Sequence, residues 1–307
     1  MNEMYSIRLG YTCNNNCVMC YFSNKLGTHD MSTEDAKGMI SRAKERGIHK
    51  LLLTGGEPTI RSDFFHILSY AVKLQIPEIE VQTNGRMFYY EGFVKRVAQI
   101  EKNDVILRFL IPIYGPSERI HDSITRSMYS FRQTVQGIGN LLKYNQTLTG
   151  KTVIMKPNYK YLPETVKLLE DLGVASLNIS SMCISDDLDG NKKNLLPRFR
   201  EVMPYLFKTL RLSVGMNLKL SLISFPLCVI RGYENLVGGE IPYKTILGVD
   251  PDKKIIELNV PEGERQDFTS KTKMEKCKKC LFFSKCGGVW NGYIKIYGEG
   301  EFLPIKN

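Results

Sequence analysis

Three cysteines, Cys13, Cys17 and Cys20, lie within eight residues of one another in the segment YTCNNNCVMCYF. Clustered thiols at this spacing are typical of metal ligands, and two kinds of site use them. A structural zinc site needs four ligands, and His29 is the nearby residue that would have to complete the set. Three thiolates better suit a [4Fe–4S] cluster, because one iron then stays open for a substrate or cofactor.

A glycine-rich turn is the second stretch that could do chemistry. It reads LLLTGGEPT (51–59) and closes a short apolar run. Gly55 and Gly56 allow the backbone to approach a ligand closely, and Pro58 stiffens the turn. Glu57 supplies a carboxylate suited to an ammonium group. Taken alone, the stretch is also typical of an ordinary turn at the end of a strand.

The elements that must position these residues alternate along the chain. Apolar runs that end in turn residues predict six strands, at 5–10, 50–54, 78–83, 104–113, 151–156 and 174–180. Helical patterns predict five helices, at 33–46, 62–75, 91–100, 129–144 and 162–172. The first helix begins after Ser32, with Asp35 as its partner in a capping box, and ends at Gly47.

Strands that alternate with helices favour an α/β fold. They require parallel strands with right-handed crossovers, so the sheet is an open doubly wound one or a barrel, complete or partial. Both motifs directly follow predicted strands, and active chemistry in such folds sits at the carboxyl ends of the strands. The cysteine loop and the GGEP turn are therefore expected at the same face.

Length and composition limit the class of protein. A chain of 307 residues with 43% hydrophobic content can bury one large core, or one core and a small appendage, and does not fit a disordered class. It begins without an apolar run long enough for a signal peptide, and no stretch approaches the ~20 apolar residues of a membrane span. We expect a cytoplasmic protein, and in such a reducing compartment clustered thiols among its eight cysteines more often hold metal than form disulfides.

The pair of motifs, CxxxCxxC after the first strand and GGEP after the second, resembles the radical S-adenosylmethionine (radical SAM) superfamily. The resemblance covers about residues 5–185. It implies a partial (β/α)6 TIM barrel, here assigned to residues 1–212, and a [4Fe–4S] cluster on Cys13, Cys17 and Cys20 as the catalytic centre. It further implies that S-adenosylmethionine (SAM) binds at Gly55, Gly56 and Glu57 and is cleaved to methionine and a 5′-deoxyadenosyl radical, which abstracts hydrogen from a substrate.

Further positions follow from the same resemblance. Thr83 and Asn84, in TNG at the end of the third strand, correspond to a family segment that lines the cavity for SAM and substrate, although an Asn–Gly turn would explain them too. Met182, in ISSMC, corresponds to a residue that packs against adenine, or it belongs to the core. At the fourth strand the chain departs from the family pattern, because Pro112 replaces the serine that approaches the ribose. Tyr114 then becomes a candidate substrate contact.

A second cysteine group, CKKCLFFSKC, holds Cys277, Cys280 and Cys286. It resembles part of the SPASM or twitch-type extension of radical SAM enzymes, which implies an auxiliary [4Fe–4S] cluster in a C-terminal domain at 213–307. A full SPASM segment has another cysteine where this chain has Trp290. We predict Cys228 as the fourth ligand, because it follows the barrel in a region able to form a small β-rich cap. Cys183 is the other candidate, and a four-cysteine zinc ribbon is the alternative site.

Segments spread along the chain resemble radical SAM maturases of His-Xaa-Ser repeat peptide systems; they are LTGGEPT, TNGR, IPIYG, HDSIT with SFRQTVQGIGNLL, NYKYLPE and FPLC. This implies modification of a ribosomally made precursor peptide (a RiPP maturase), with a reductant such as flavodoxin or ferredoxin. The alternative is a small-molecule or nucleotide enzyme of cofactor or secondary-metabolite biosynthesis, in which Arg126 and Lys156 could meet a phosphate. A third class, an iron–sulfur scaffold or electron carrier, leaves the GGEP turn without a purpose.

The formal net charge of +10 favours an anionic partner without specifying it. Much of the excess lies in a lysine-rich segment, residues 271–285, where Glu275 is the one nearby acid. A solvated surface, or compensation of a cluster's negative charge, would explain these lysines equally well. With a peptide substrate they would attract an acidic leader, alone or with a small peptide-recognition partner protein. Nucleic acid is not an expected partner.

Overall fold

The computed structural model describes residues 2–100, 104–184, 190–237, 243–249, 251, 255–259 and 271–306. Eleven strands occur in these ranges. They are β1 (Asn2–Arg8), β2 (Lys50–Thr54), β3 (Glu78–Gln82), β4 (Ile106–Pro112), β5 (Thr147–Val153), β6 (Ser176–Ser180), β7 (Lys219–Ile223), β8 (Tyr243–Val249), β9 (Ile255–Asn259), β10 (Lys271–Thr272) and β11 (Val289–Trp290).

Nine α-helices occur in the same described ranges. They are α1 (Thr33–Glu45), α2 (Phe64–Lys73), α3 (Glu91–Ala98), α4 (Glu118–Thr125), α5 (Ser130–Lys143), α6 (Leu162–Asp171), α7 (Gly190–Lys193), α8 (Phe199–Leu212) and α9 (Asn291–Tyr297). The predicted start of α1 is confirmed, since the side chain of Ser32 accepts a hydrogen bond from the Asp35 backbone N–H at 3.1 Å. None of the helices in these ranges combines the length and apolar character needed to cross a bilayer.

Strands β1 to β7 follow one another in a parallel sheet, which confirms the predicted α/β fold of partial-barrel type. One predicted strand was misplaced. The fifth strand is Thr147–Val153, not 151–156, because its β-branched threonines favour a strand. A seventh strand that was not predicted, β7, pairs in parallel with β6.

The chain divides into two compact units. The first unit comprises Met1–Ile113, Ser117–Gly150 and Tyr243–Val260. In it, β8 pairs in parallel with the outer side of β1, and β9 pairs antiparallel with β8. The second unit comprises Tyr114–Pro116, Lys151–Pro242 and Pro261–Asn307. The division into a barrel at 1–212 and a C-terminal domain at 213–307 stays a prediction.

The core of the first unit lies along its parallel strands. Ile7 of β1, Leu51 and Leu53 of β2, and Ile79 and Val81 of β3 are completely buried. β2 buries a continuous apolar run, Leu51–Leu53, so both of its faces are covered and polar chemistry is confined to the loop at its end. The GGEP turn is this loop, and the cysteine loop follows β1.

Candidate functional site

The cysteine loop, residues 9–31, is tied to itself at its base. The Asp30 carboxylate accepts hydrogen bonds from the backbone N–H groups of Tyr11 (2.8 Å) and Thr12 (3.0 Å). Arg61 donates to the backbone oxygens of Leu9 (2.7 Å) and Met31 (2.8 Å) and forms an ion pair with its neighbour Asp63. The loop that carries the three thiols therefore begins and ends in fixed positions.

The middle of the loop is held by a distant helix end. The backbone N–H groups of Asn16 and Val18 donate to the backbone oxygens of Thr125 and Ile124, each at 2.9 Å. These are carbonyls of the last turn of α4, which lack partners within the helix itself. The hydroxyl of Ser127 also donates to the Asn14 backbone oxygen at 3.2 Å. The sequence did not predict the contacts with Ile124 and Thr125, although the HDSIT segment that contains both residues was noted.

The two glycines of the GGEP turn pack against the cysteine loop. Gly56 N–H donates to Gly10 O at 2.7 Å, and Glu57 N–H donates to Thr12 O at 2.8 Å. A Cβ at Gly56 would lie 2.2 Å from Thr12 O, and one at Gly55, whose φ is +127°, would lie 2.5 Å from Gly10 O. The close approach that requires glycine is therefore to the chain itself, and it brings both motifs to one place.

Glu57 is buried and joins the ends of β2 and β3. Its carboxylate accepts hydrogen bonds from the Thr59 N–H (3.0 Å) and hydroxyl (2.5 Å), the Thr83 hydroxyl (2.6 Å) and the Asn84 N–H (2.6 Å). Burial raises the pKa of Glu57, and the hydrogen bonds from Thr59, Thr83 and Asn84 act against that rise. The structure thus brings Glu57, Thr83 and Asn84 together, and Asn84 Nδ2 reaches Asn14 Oδ1 of the cysteine loop at 2.6 Å.

The donor set of the loop suits a metal cluster. Burial raises the pKa of Cys13 to about 11, and burial together with the charges of the Cys13 and Cys20 thiols raises the pKa of Cys17 to about 12. Three close thiolates repel one another unless a cation binds them, so the group fits a cationic partner. The Asn15 N–H lies 3.4 Å from Cys13 Sγ, as expected for a loop that donates hydrogen bonds to sulfur.

Comparison with known families decides the identity of this arrangement. The model of the radical SAM superfamily matches residues 7–169, which include the cysteine loop and the GGEP turn. The chain belongs to the radical SAM superfamily. Membership implies that this radical SAM enzyme uses SAM and a [4Fe–4S] cluster. The thiols of the loop are the residues that fit such a cluster.

Related radical SAM proteins differ in what their names say they make. The AdoMet-dependent heme synthase of Oleidesulfovibrio alaskensis is 28% identical over 55% of this chain and 42% of its own length. The mycofactocin maturase MftC of Mycolicibacterium smegmatis is 29% identical over 57% of this chain and 43% of its own. A probable GTP 3′,8-cyclase of Methanocaldococcus jannaschii is 23% identical over 71% and 72%. The chain spans about half the length of the heme synthases that it matches.

Solved structures share the fold over nearly the whole chain. Streptococcus suis SuiB bound to S-adenosylmethionine has a TM-score of 0.69 at 14% identity and covers 99% of this chain and 76% of its own. The enzyme anSMEcpe with bound AdoMet has a TM-score of 0.71 at 15% identity and covers 98% and 92%. At these identities the likeness establishes the radical SAM fold.

The second unit brings four cysteines to one cavity. Cys228, Cys277, Cys280 and Cys286 all line it, whereas Cys183 is exposed and is not among its lining residues. Burial, and after it the charges of the other three thiols, raise the pKa of Cys228 to about 12. None of the eight cysteines forms a disulfide.

The lysine-rich segment has more acidic partners than the sequence indicated. Besides the ion pair between Lys278 and Glu275 at 2.8 Å, Lys276 lies 3.8 Å from the Glu299 carboxylate and donates to the Glu299 backbone oxygen at 2.7 Å. Glu299 was overlooked because it is 23 residues away in sequence. The prediction that Glu275 is the one nearby acid was therefore wrong.

The remaining predicted residues are placed as follows. Met182 is buried in the second unit, directly after β6, and Lys156 belongs to the same unit. Arg126 is exposed in the first unit, in a left-handed conformation (φ +50°) at the end of α4. His29 lies beside the Tyr11 ring, with 5.5 Å between ring centroids.

Proposed function

We propose that this radical SAM enzyme is a peptide maturase that modifies a ribosomally made precursor peptide. Cys13, Cys17 and Cys20 would hold the catalytic [4Fe–4S] cluster, and Gly55, Gly56, Glu57, Thr83 and Asn84 of the same unit would bind SAM. The role of Met182 as an adenine contact stays a prediction. When bound, the cluster supplies the electron that cleaves SAM to methionine and a 5′-deoxyadenosyl radical, which abstracts hydrogen from the substrate. The observation that carries the SAM chemistry of this proposal is the direct backbone pairing of the cysteine loop with the GGEP turn.

The peptide substrate is supported by the relatives. MftC is named a maturase. A structure of SuiB bound to its precursor peptide SuiA covers 99% of this chain with a TM-score of 0.69. Together with the segments resembling maturases of His-Xaa-Ser repeat systems, these likenesses favour a peptide. The positive charge of the chain, +10, would attract an acidic leader sequence.

An auxiliary [4Fe–4S] cluster is proposed at Cys228, Cys277, Cys280 and Cys286, in a SPASM- or twitch-like domain. Four thiols that line one cavity support it. Since all four protein ligands would be used, this cluster would transfer electrons rather than bind substrate.

A small-molecule or nucleotide substrate is the second candidate. The likeness to the probable GTP 3′,8-cyclase, which covers 71% of this chain, favours it. Both candidates need a reductant such as flavodoxin or ferredoxin. We propose the cytoplasm as the location, since cysteines that bind clusters must be kept reduced, and the cytoplasm is a reducing compartment.

Anaerobic assays would test the proposal. Reduced, cluster-loaded protein with SAM should form 5′-deoxyadenosine. Addition of a candidate precursor peptide, sought among short reading frames beside the gene, should give a product whose mass change is read by mass spectrometry. Turnover of GTP without turnover of peptide would favour the second candidate. A protein that never forms 5′-deoxyadenosine would instead be a scaffold or electron carrier.

A further inference from the structure

Three exposed apolar side chains lie beside the four-cysteine cavity of the second unit. Leu281 and Leu303 are 58% and 64% exposed, and Phe283 is 38% exposed. The Leu281 N–H donates to the Ile305 backbone oxygen at 2.8 Å, which holds the CKKCLFFSKC segment against the segment that follows α9. Phe283 also lines the four-cysteine cavity together with Pro304 of that second segment. The three side chains, which we call the apolar patch, therefore belong to two segments in contact.

Positive charge surrounds the apolar patch. Lys279, Lys285 and Lys306 are exposed, and each lies within three residues of a patch side chain in sequence. None of these three, which we call the rim lysines, forms an ion pair with a residue that the structure describes. Lys273 adds a fourth cation, since its Nζ lies 4.9 Å from the centre of the Phe283 ring. Exposed apolar side chains within a charged rim are typical of interaction sites.

The acidic residues of the same two segments do not offset this charge. Glu275 forms an ion pair with Lys278 at 2.8 Å, and Glu299 lies 3.8 Å from Lys276. The side chain of Glu301 is only 12% exposed. Among the described residues of these segments, the exposed charges without an ion pair are therefore positive, which favours an acidic partner.

Backbone donors beside the patch favour a peptide over a folded protein as that partner. Residues 302–306 form neither a helix nor a strand. The backbone N–H groups of Leu303 and Lys306 have no hydrogen-bond partner within the described part of the chain. An extended peptide offers a carbonyl at every residue and can accept from such donors while its side chains contact the patch. A folded protein uses most of its buried carbonyls within its own helices and sheets.

We propose that the apolar patch and the rim lysines bind the leader segment of the precursor peptide, an extended stretch in which apolar residues are flanked by Asp or Glu. This inference rests on the proposed peptide function and adds the surface that recognises the substrate. Apolar side chains of the leader contact the patch, and its carboxylates lie beside the rim lysines. The lysines alone would attract any acidic peptide, so the patch supplies the selectivity.

Short peptides of defined sequence test this surface in the cluster-loaded protein. The probe is N-acetyl-Glu-Glu-Leu-Phe-Leu-Glu-Glu-amide. One control peptide has serine in place of the three apolar residues, and the other has lysine in place of the four glutamates. By calorimetry, the probe should bind about tenfold more tightly than either control, because each control lacks one of the two features that the surface recognises. Equal binding of the probe and the serine control would overturn the inference.

A double variant of the patch locates the binding site. Leu281→Ser with Leu303→Ser should weaken binding of the probe about fivefold or more. Leu212→Ser with Val214→Ser changes two exposed apolar residues elsewhere in the same unit and should leave the affinity unchanged. Equal affinities in the two double variants would show that the probe binds elsewhere. Should the patch variant fail to fold, the comparison of the three peptides on the wild-type protein still decides.

Two further measurements separate this inference from its rivals. If flavodoxin, an acidic electron carrier, binds the wild-type protein and loses affinity in the patch variant while the probe does not bind, the surface serves electron transfer and the inference is wrong. Failure of the proposed function is distinguishable. Probe binding by a protein that modifies no precursor peptide would refute the maturase and leave the surface. A patch variant that modifies a precursor peptide with unchanged KM would refute the surface and leave the maturase.

Discussion

Arg86 donates a hydrogen bond from Nη1 to the backbone oxygen of Asn14, which lies between the first two cysteines and 72 residues away in sequence. The same nitrogen donates to Asn15 Oδ1 at 2.7 Å, and Nε donates to Gln133 Oε1 at 2.6 Å. Within the described residues, Arg86 makes no ion pair with a carboxylate. Its charge is therefore directed at the cysteine loop, where it lowers the pKa of Cys13 against the larger effect of burial.

Replacing Arg86 by glutamine should make the first cluster harder to reduce, because a positive charge beside the loop stabilises the more negative, reduced state. We expect the midpoint potential to fall by about 60 mV, equivalent to ~1.4 kcal/mol for one electron. The measurement is an EPR-monitored redox titration. Arg96→Gln is the matched control, since Arg96 stacks on Phe65 in the same unit. If the midpoint potentials of both variants equal that of the wild-type protein, Arg86 stabilises the fold without tuning the cluster.

Gly56→Ala should disrupt the contact between the two motifs, because the new Cβ would overlap with Thr12 O. We expect a loss of about 2–4 kcal/mol in the free energy of unfolding, together with loss of 5′-deoxyadenosine formation. Gly139→Ala is the control: it lies within α5 with no neighbouring atom within 4 Å, and should stabilise the protein by about 0.5–1 kcal/mol. For each variant, thermal unfolding measures the change in stability and the amount of 5′-deoxyadenosine formed measures SAM cleavage. A Gly56→Ala variant with normal cleavage would contradict the close packing.

Iron content should separate the two cysteine groups, since seven cysteines at two sites predict about eight irons per chain. Cys228→Ala should lose the auxiliary cluster and retain SAM cleavage, because Cys228 lines the cavity with the other three thiols. Cys183→Ala should keep all of the iron, since its thiol is exposed and does not line that cavity. Iron and zinc analysis of the reconstituted proteins measures this. Tightly bound zinc in the wild-type second site would show a zinc ribbon instead.

His121 should make the stability depend on pH. Burial, followed by the charge of Arg86, lowers its pKa to about 4, while Asp122 acts in the opposite direction. Because the folded state binds a proton less readily than the unfolded state, stability is full above pH ~6.5 and falls as the pH drops towards 4. The free energy of unfolding should be about 2 kcal/mol lower at pH 5 than at pH 7. His121→Gln should lose this difference in anaerobic denaturant unfolding, and His66→Gln, at an exposed position, should retain it.

Exposed lysines should govern binding of an acidic leader. Lys279 and Lys285 have no ion pair among the described residues, unlike Lys276 and Lys278. Lys279→Glu with Lys285→Glu should weaken binding of the precursor peptide and reduce its salt dependence, because exposed charges are screened over ~8 Å at physiological ionic strength. Lys208→Glu with Arg211→Glu, at two exposed positions of α8, changes the net charge equally and is the control. A peptide affinity that changes neither with salt concentration nor with these substitutions would favour a neutral substrate.

Much of this architecture could be read from local sequence. The alternation of apolar runs and helical patterns predicted the parallel fold. Cys13, Cys17 and Cys20 follow the first predicted strand and the GGEP turn follows the second, so the sequence also predicted that these two motifs lie at the same face. Strand 151–156 was misplaced because TLTGKTV has more threonine than aliphatic residues, so periodicity alone did not mark its start.

Contacts between distant segments could not be predicted in the same way. Arg86 and the last carbonyls of α4 hold the cysteine loop through its backbone atoms. Backbone groups are the same at every residue, so no residue type in the loop indicates which distant segment will bind it. The glycines of the GGEP turn are an example. The sequence predicted that a close approach requires them, but not that the approaching group is the backbone of the cysteine loop.

The attachment of the cysteine loop to the end of α4 also has a consequence for biosynthesis. Chains are made from the amino terminus, and Cys20 leaves the ribosome long before Ile124, Thr125 and Ser127 exist. While roughly a hundred further residues are being synthesised, the nascent chain therefore carries its three thiols on a loop that lacks its hydrogen bonds to the end of α4. The supported form of the loop, ready to receive iron and sulfide, arises only after α4 has been translated, so maturation of the first site belongs to the later stages of translation or follows release.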